Sequence, residues 1–126
     1  MTYHVRKTST LIGGTTASLQ EGQLCTLLEL FYGMMLPSGN DAAIAMSEAI
    51  GLLSYLKGKG RQVQPEEEGW DSSFNKNYAY LFIAMMNERC QRAGTLDTKC
   101  NNSHGNDPYD YYKNVSTCHE IAKIAS

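Results

Sequence analysis

The chain has 126 residues, 42% of them hydrophobic and 19% charged, with a formal net charge of −2. That length suits one domain with a buried core, and the composition and modest charge do not suggest disorder. The small acidic balance, with no basic stripe, leaves no footprint for nucleic acid, and no apolar run approaches the roughly 18 residues of a membrane-spanning helix.

The N-terminal MTYHVRKTST lacks the apolar core of a signal peptide. Tyr3 to Ser9 reads as an extended strand with Val5 its main apolar residue. Gly13 to Gln20 reads as a turn and then a strand, helped by Thr15 and Thr16. Thr26-Leu27-Leu28-Glu29 has the form of a capping box and predicts a helix start. Leu27, Leu30, Phe31, Met34 and Met35 follow at three- and four-residue spacing and give that helix one apolar face.

Pro37 ends it, because proline lacks a donor and restricts the residue before it. Asn40 or Asp41 is suited to cap a second helix, in which Ala42, Ala43, Ala45, Met46, Ala49 and Ile50 are small or apolar and Gly51 is the expected stop. Ser38 and Asn40 therefore fall at a tight junction, presenting short polar side chains between two packed helices. Pro-Ser-Gly-Asn also has the pattern of an ordinary turn followed by a helix cap. The tripeptide alone does not separate the two readings.

From Lys57 to Ser73 the composition turns polar and rich in glycine. This is expected to be a surface insertion in which Glu66, Glu67 and Glu68 form a solvated charge run without chemistry. Helical spacing resumes at about Phe74 and lasts to Ala93, with Tyr78, Leu81, Phe82, Met85 and Met86 as its buried stripe and Gly94 as its stop. Cys100 to Gly105 is expected as a short strand or loop, and Asn106 to Asn114 as a loop. Thr117-Cys118-His119-Glu120 forms a second capping box that opens a last helix. The elements together predict a mainly α chain with short β segments.

Cys25, Cys90, Cys100 and Cys118 contain no C-x-x-C pair and leave three pairings, or a reduced state, open. Cys25 and Cys90, beside or within helical segments, are expected to behave as small hydrophobes. Cys100, His104, Cys118 and His119 are poorly spaced for zinc, whose ligands usually pair roughly two to four residues apart, so no metal and no cofactor is assigned. Asn101-Asn102-Ser103 and Asn114-Val115-Ser116 are glycosylation sequons, relevant only in a eukaryotic secretory setting.

Several blocks recur in one known order. Gly13-Gly14-Thr15, Leu19-Gln20-Glu21-Gly22, Tyr32-Gly33 and Ser38-Gly39-Asn40-Asp41-Ala42-Ala43 are followed by Met85-Met86-Asn87-Glu88, Ala93-Gly94, Asn102-Ser103-His104-Gly105 and Ser116-Thr117 with Ile121-Ala122. Taken together they resemble the middle of the catalytic domain of the serine-type D-alanyl-D-alanine carboxypeptidases, the low-molecular-mass penicillin-binding proteins. The resemblance implies an incomplete helical lobe of the α+β penicillin-binding and serine β-lactamase-like transpeptidase fold, spanning residues 1–126 as a partial domain.

It also implies chemistry. Such enzymes combine a Ser-x-x-Lys nucleophile, a Ser-x-Asn element and a Lys-Thr-Gly strand, and cleave peptides ending in D-Ala-D-Ala through an acyl-serine intermediate. By resemblance Ser38 is expected to relay protons to the leaving nitrogen. Asn40 is expected to bind a substrate carbonyl, and His104 to line the substrate site. The nucleophile is expected ahead of Met1 and the Lys-Thr-Gly strand beyond Ser126. Ser54-Tyr55-Leu56-Lys57 and Ser73-Phe74-Asn75-Lys76 match the nucleophile pattern in the wrong order and are read as chance. Two readings follow: a portion of an acyl-serine peptidase that is inactive by itself, or a non-catalytic binding module derived from that fold. In either case apolar helix faces are expected to be exposed and to favour self-association. The family is extracytoplasmic, whereas these residues include no export signal.

Overall fold

A computed structural model of the chain describes residues 2–58, 78–106 and 113–126. Strand β1 (Thr2–His4) pairs antiparallel with β2 (Leu24–Thr26), with Tyr3 opposite Cys25. Between them lies a single helical turn, α1 (Lys7–Thr10). Helices α2 (Leu27–Met35) and α3 (Asn40–Gly58) follow, then α4 (Ala79–Arg92) and α5 (Cys118–Ala125). Helix α3 packs against α1, α2 and α4. No described helix is long and apolar enough to cross a membrane.

The starts and stops follow local chemistry. Thr26 and Glu29 form the reciprocal capping box: the Thr26 hydroxyl accepts from Glu29 N at 3.1 Å, and the Glu29 carboxylate accepts from Thr26 N at 2.7 Å. The Thr26 amide and the Thr26 hydroxyl, which donates to the same carboxylate at 2.8 Å, hold the Glu29 carboxyl below its ordinary range. At the end of α4, Gly94 adopts φ of +78°. Gly94 N donates to Gln91 O at 2.9 Å and Thr95 N to Cys90 O at 3.2 Å, the two bonds of a Schellman stop.

The core gathers Tyr3, Val5 and Cys25 from the N-terminal strands, Leu30 from α2, Ala45, Ala49, Leu52 and Leu56 from α3, and Tyr78. Alanines at 42, 45 and 49 let neighbouring backbones approach α3 closely. Helix α2 covers only part of its apolar face. Leu30 is fully buried, yet Phe31 remains 42% and Met35 61% exposed. The stripe expected for α4 is likewise split: Tyr78, at the cap just ahead of the helix, is buried, whereas Met85 is exposed.

Three expectations are corrected. The strand expected over Tyr3 to Ser9 stops at His4, because Thr8 and Ser9 turn inward to α3. Their hydroxyls donate to the buried Glu48 carboxylate at 2.7 and 3.1 Å, beside the Tyr3 hydroxyl at 3.1 Å. Burial first, and then the adjacent Glu48 charge and hydrogen bond, push the Tyr3 phenol far above its ordinary range, while Arg6 opposes the shift. The strand expected within Gly13 to Gln20 is absent: Gly14 and Ser18 have φ of +86° and +60°, and the amides of Ala17 and Leu19 bond to Asp41 instead of a neighbouring strand.

The third correction is Gly51. It does not end its helix, which continues to Gly58. Gly51 is instead a buried contact at which a Cβ would overlap the Tyr78 carbonyl. The polar stretch 57–73 begins on the last residues of α3, and its remainder lies outside the described residues, as do Ser73 to Lys76 and the start expected for α4 at Phe74.

Gly51→Ala tests this contact. Alanine improves intrinsic helix propensity by about 1 kcal/mol, but the overlap is expected to dominate and lower stability by about 2 kcal/mol. Urea unfolding reads the difference; equal or greater stability would mean that the α3–α4 contact is not close.

Candidate active site around Ser38 and Asn40

The α2–α3 junction is built from its backbone outward. Leu36 N closes α2 by donating to Tyr32 O at 2.9 Å, and Pro37 prevents its continuation. Gly39 N then turns back to Gly33 O at 3.1 Å. A Cβ on Gly39 would lie 2.6 Å from Gly33 O and 2.8 Å from Ala17 N, so only glycine fits there. Gly39 occupies the cap position of α3, and Asn40 is its first residue. This corrects the expectation that Asn40 or Asp41 serves as the cap, since both side chains reach across to the preceding loop.

Ser38 is exposed and has φ of +56°. Its carbonyl accepts from the Thr15 hydroxyl at 2.5 Å. Asn40 N donates to Thr15 O at 2.9 Å, and its side-chain amide donates to Gly13 O at 3.0 Å. Asn40 is 8% exposed, so that amide is fixed in place. Gly14 permits the approach: a Cβ there would meet the Asn40 and Asn106 amide nitrogens, each at 2.8 Å.

Asp41 ties the loop to α3. Its carboxylate accepts from the Thr16 hydroxyl at 2.7 Å and from the amides of Ala17, Leu19 and Ala42 at 2.8, 2.9 and 2.9 Å. Burial alone would raise its pKa. The hydrogen bonds from Ala17, Thr16, Leu19 and Ala42 outweigh burial and hold the carboxyl below its ordinary range. Position in the first turn of α3 adds a favourable helix-dipole contribution to the charged form.

The segment 101–106 reaches the same place. Asn106 donates through its side chain to Gly13 O at 2.9 Å, so Asn40 and Asn106 share one acceptor. His104 Nδ1 accepts from Asn106 N at 3.1 Å, which assigns the proton of a neutral ring to Nε2. Asn102 braces the turn by accepting from Gly105 N at 2.6 Å, and Ser103 donates to Ser47 Oγ on α3 at 3.2 Å. The sequence pattern pointed to Ser38, Asn40 and His104 as site residues; it included Gly13 and Thr15 only in a resembling block, without a role, and did not single out Asn106. Gly13 and Thr15 act through backbone atoms, and Asn106 is distant along the chain.

Other candidates lie elsewhere. Ser54 donates to Met85 Sδ at 3.3 Å across the α3–α4 contact. Among the described residues no three His, Cys, Asp or Glu side chains gather as metal ligands. An open groove of about 880 Å³ between α4 and α5, lined by Phe82, Met85 and Ile124 among others, shares no residue with the Ser38 junction.

No family model and no curated protein matches the chain. Solved structures do match it. A D-alanyl-D-alanine carboxypeptidase from Mycobacterium tuberculosis superposes with a TM-score of 0.70 at 21% identity, over 99% of this chain and 37% of that one. A D-alanyl-D-alanine carboxypeptidase from Francisella tularensis gives 0.69 at 22% identity, over 99% and 24%. A Streptomyces DD-transpeptidase gives 0.67 at 23% identity, over 98% and 40%. The chain thus spans at most 40% of the length of these three structures. At this identity the likeness establishes the fold: the chain takes the form of an incomplete helical lobe of the penicillin-binding, transpeptidase-type architecture.

The Asp41 network sets a pH dependence. Because its folded pKa lies below the unfolded value near roughly 3.9, its contribution is complete above that value and is lost as pH falls through the folded pKa. Asp41→Asn is expected to lower stability at neutral pH by about 2 kcal/mol and to flatten the acid limb of a stability–pH curve. Curves that run parallel for the two proteins would contradict the network.

Proposed function

We propose that this chain carries the Ser-x-Asn element of a serine-type peptidase similar to the D-alanyl-D-alanine carboxypeptidases, acting on peptidoglycan-type peptides through an acyl-serine intermediate. The observation that carries the reading is the backbone of Ser38. A left-handed φ of +56° costs a serine roughly 1 kcal/mol, and glycine or asparagine would occupy it more easily. A plain turn has no reason to retain serine there, whereas a proton relay needs a hydroxyl at the exposed junction.

In this reading the Ser38 hydroxyl passes a proton to the amine leaving from the scissile peptide. Asn40, held by Gly13, offers the remaining N–H of its amide to a substrate carbonyl. His104 and Asn106 line the far side of the Gly13 turn and position substrate without transferring protons. The attacking serine, from a Ser-x-x-Lys element, and a Lys-Thr-Gly strand come from outside these residues, so the 126-residue chain binds without cleaving. The architecture shared with the carboxypeptidases and the transpeptidase supports this assignment.

Two experiments on the chain test the proposal. A fluorescent penicillin is expected to form no covalent adduct; stoichiometric labelling mapped to Ser54 or Ser73 would place the nucleophile inside the chain and overturn the assignment. A peptide ending in D-Ala-D-Ala, titrated to millimolar concentration, is expected to shift the NMR signals of Ser38, Gly39 and the Asn40 side-chain amide. Ser38→Gly should keep the fold, with stability unchanged or up to about 1 kcal/mol higher, while those shifts weaken. Shifts confined to other surfaces would refute a substrate site at this junction.

A further inference from the structure

Cys90 occupies the last turn of α4, and Cys100 returns to it after the Gly94 stop. Asn87, one turn ahead of Cys90, fixes the returning segment: its Oδ1 accepts from Cys100 N and its Nδ2 donates to Cys100 O, both at 2.8 Å. On the other side Lys99 and Val115 form a two-way backbone bridge at 2.8 and 2.9 Å. Cys100 therefore has little freedom to move away from α4. Both thiols line the open groove between α4 and α5.

We propose that Cys90 and Cys100 are a disulfide-forming pair, closed by a small-molecule disulfide of the glutathione class. A disulfide needs its sulfurs about 2 Å apart, and Asn87, three residues ahead of Cys90 on the same helix face, holds the Cys100 backbone beside that turn. Closure staples α4 to the segment that carries His104 and Asn106 to Gly13.

The chemistry proceeds in two exchanges. Cys100, the less buried of the two, loses its proton and attacks one sulfur of oxidised glutathione, releasing one glutathione thiolate and leaving a mixed disulfide. Cys90 then loses its proton and attacks the Cys100 sulfur, releasing the second glutathione. Two cysteine thiols are oxidised, one glutathione disulfide is reduced to two thiols, and the protons pass to solvent and to those thiolates. Burial, and then the neighbouring Cys90, push the Cys100 thiol above its ordinary range, so the exchange runs best in mildly alkaline solution. The other cysteines are placed differently. Cys25 is buried in β2 opposite Tyr3, and Cys118 is exposed at the start of α5.

The test is to incubate the chain with oxidised glutathione, alkylate the remaining thiols, and map tryptic peptides. Cleavage after Arg89, Arg92, Lys99 and Lys113 isolates Cys90 on the peptide 90–92 and Cys100 on the peptide 100–113. The expected product is these two peptides joined, with alkylation confined to Cys25 and Cys118 and a melting temperature above that of the dithiothreitol-reduced chain. A lasting glutathione adduct on Cys100, or a link from Cys90 or Cys100 to Cys25 or Cys118, would overturn the pairing. A Cys90–Cys100 link that leaves melting unchanged would overturn the staple.

Discussion

The Asp41 carboxylate determines where the polypeptide can run ahead of α2. It gathers the Thr16 hydroxyl and the amides of Ala17 and Leu19 onto the first turn of α3. No neighbouring strand is needed to satisfy those donors. Seven residues on, two turns along the same face, Glu48 does the same for the hydroxyls of Tyr3, Thr8 and Ser9. The N-terminal region is thus fastened to one helix by two buried carboxylates. Glu120 repeats the device on α5, accepting from Leu96 N at 2.6 Å and the Thr98 hydroxyl at 2.6 Å. Each acid gathers neutral donors, and an irregular segment gains a defined path without a strand or helix of its own.

The Ser38 junction inherits its geometry from that fastening. With residues 16–19 anchored, Thr15 meets Ser38 O and Asn40 N, and Gly13 presents its carbonyl to Asn40. Gly39 must be glycine because Ala17 and Gly33 crowd it, and the turn it forces leaves Ser38 in the left-handed region. The side chain with a proposed proton-transfer role is therefore exposed, while its own carbonyl and the Gly39 and Asn40 amides after it are held by hydrogen bonds. Such an arrangement suits a group that must meet a substrate without reorganising.

Much of this was legible in the residues, and the exceptions share one cause. The α2 capping box, the Pro37 break and the Gly94 stop are decided within a few residues, and pattern reading finds them. Thr117 caps α5 as its box predicts, but Glu120 turns away to Leu96, Asp97 and Thr98, so only half of that box forms. The absent strand near Thr15, the truncated β1 and the continuation of α3 through Gly51 all depend on partners more than twenty residues away. Ser38, Gly39 and Asn40 could be singled out because their types and order are unusual. Gly13 falls only within a resembling block, without a role, because it contributes a backbone carbonyl, and Asn106 is not singled out, because its amide comes from a remote loop.

The central claim is that this lobe supplies one of three elements of an acyl-serine peptidase. Sequencing the transcript and genomic DNA on both sides of the reading frame tests it most directly. The account predicts in-frame codons for Ser-x-x-Lys upstream and for Lys-Thr-Gly downstream. Stop codons and untranslated sequence closing both ends would contradict it, and would leave Ser38 and Asn40 as parts of a binding module without a nucleophile to serve.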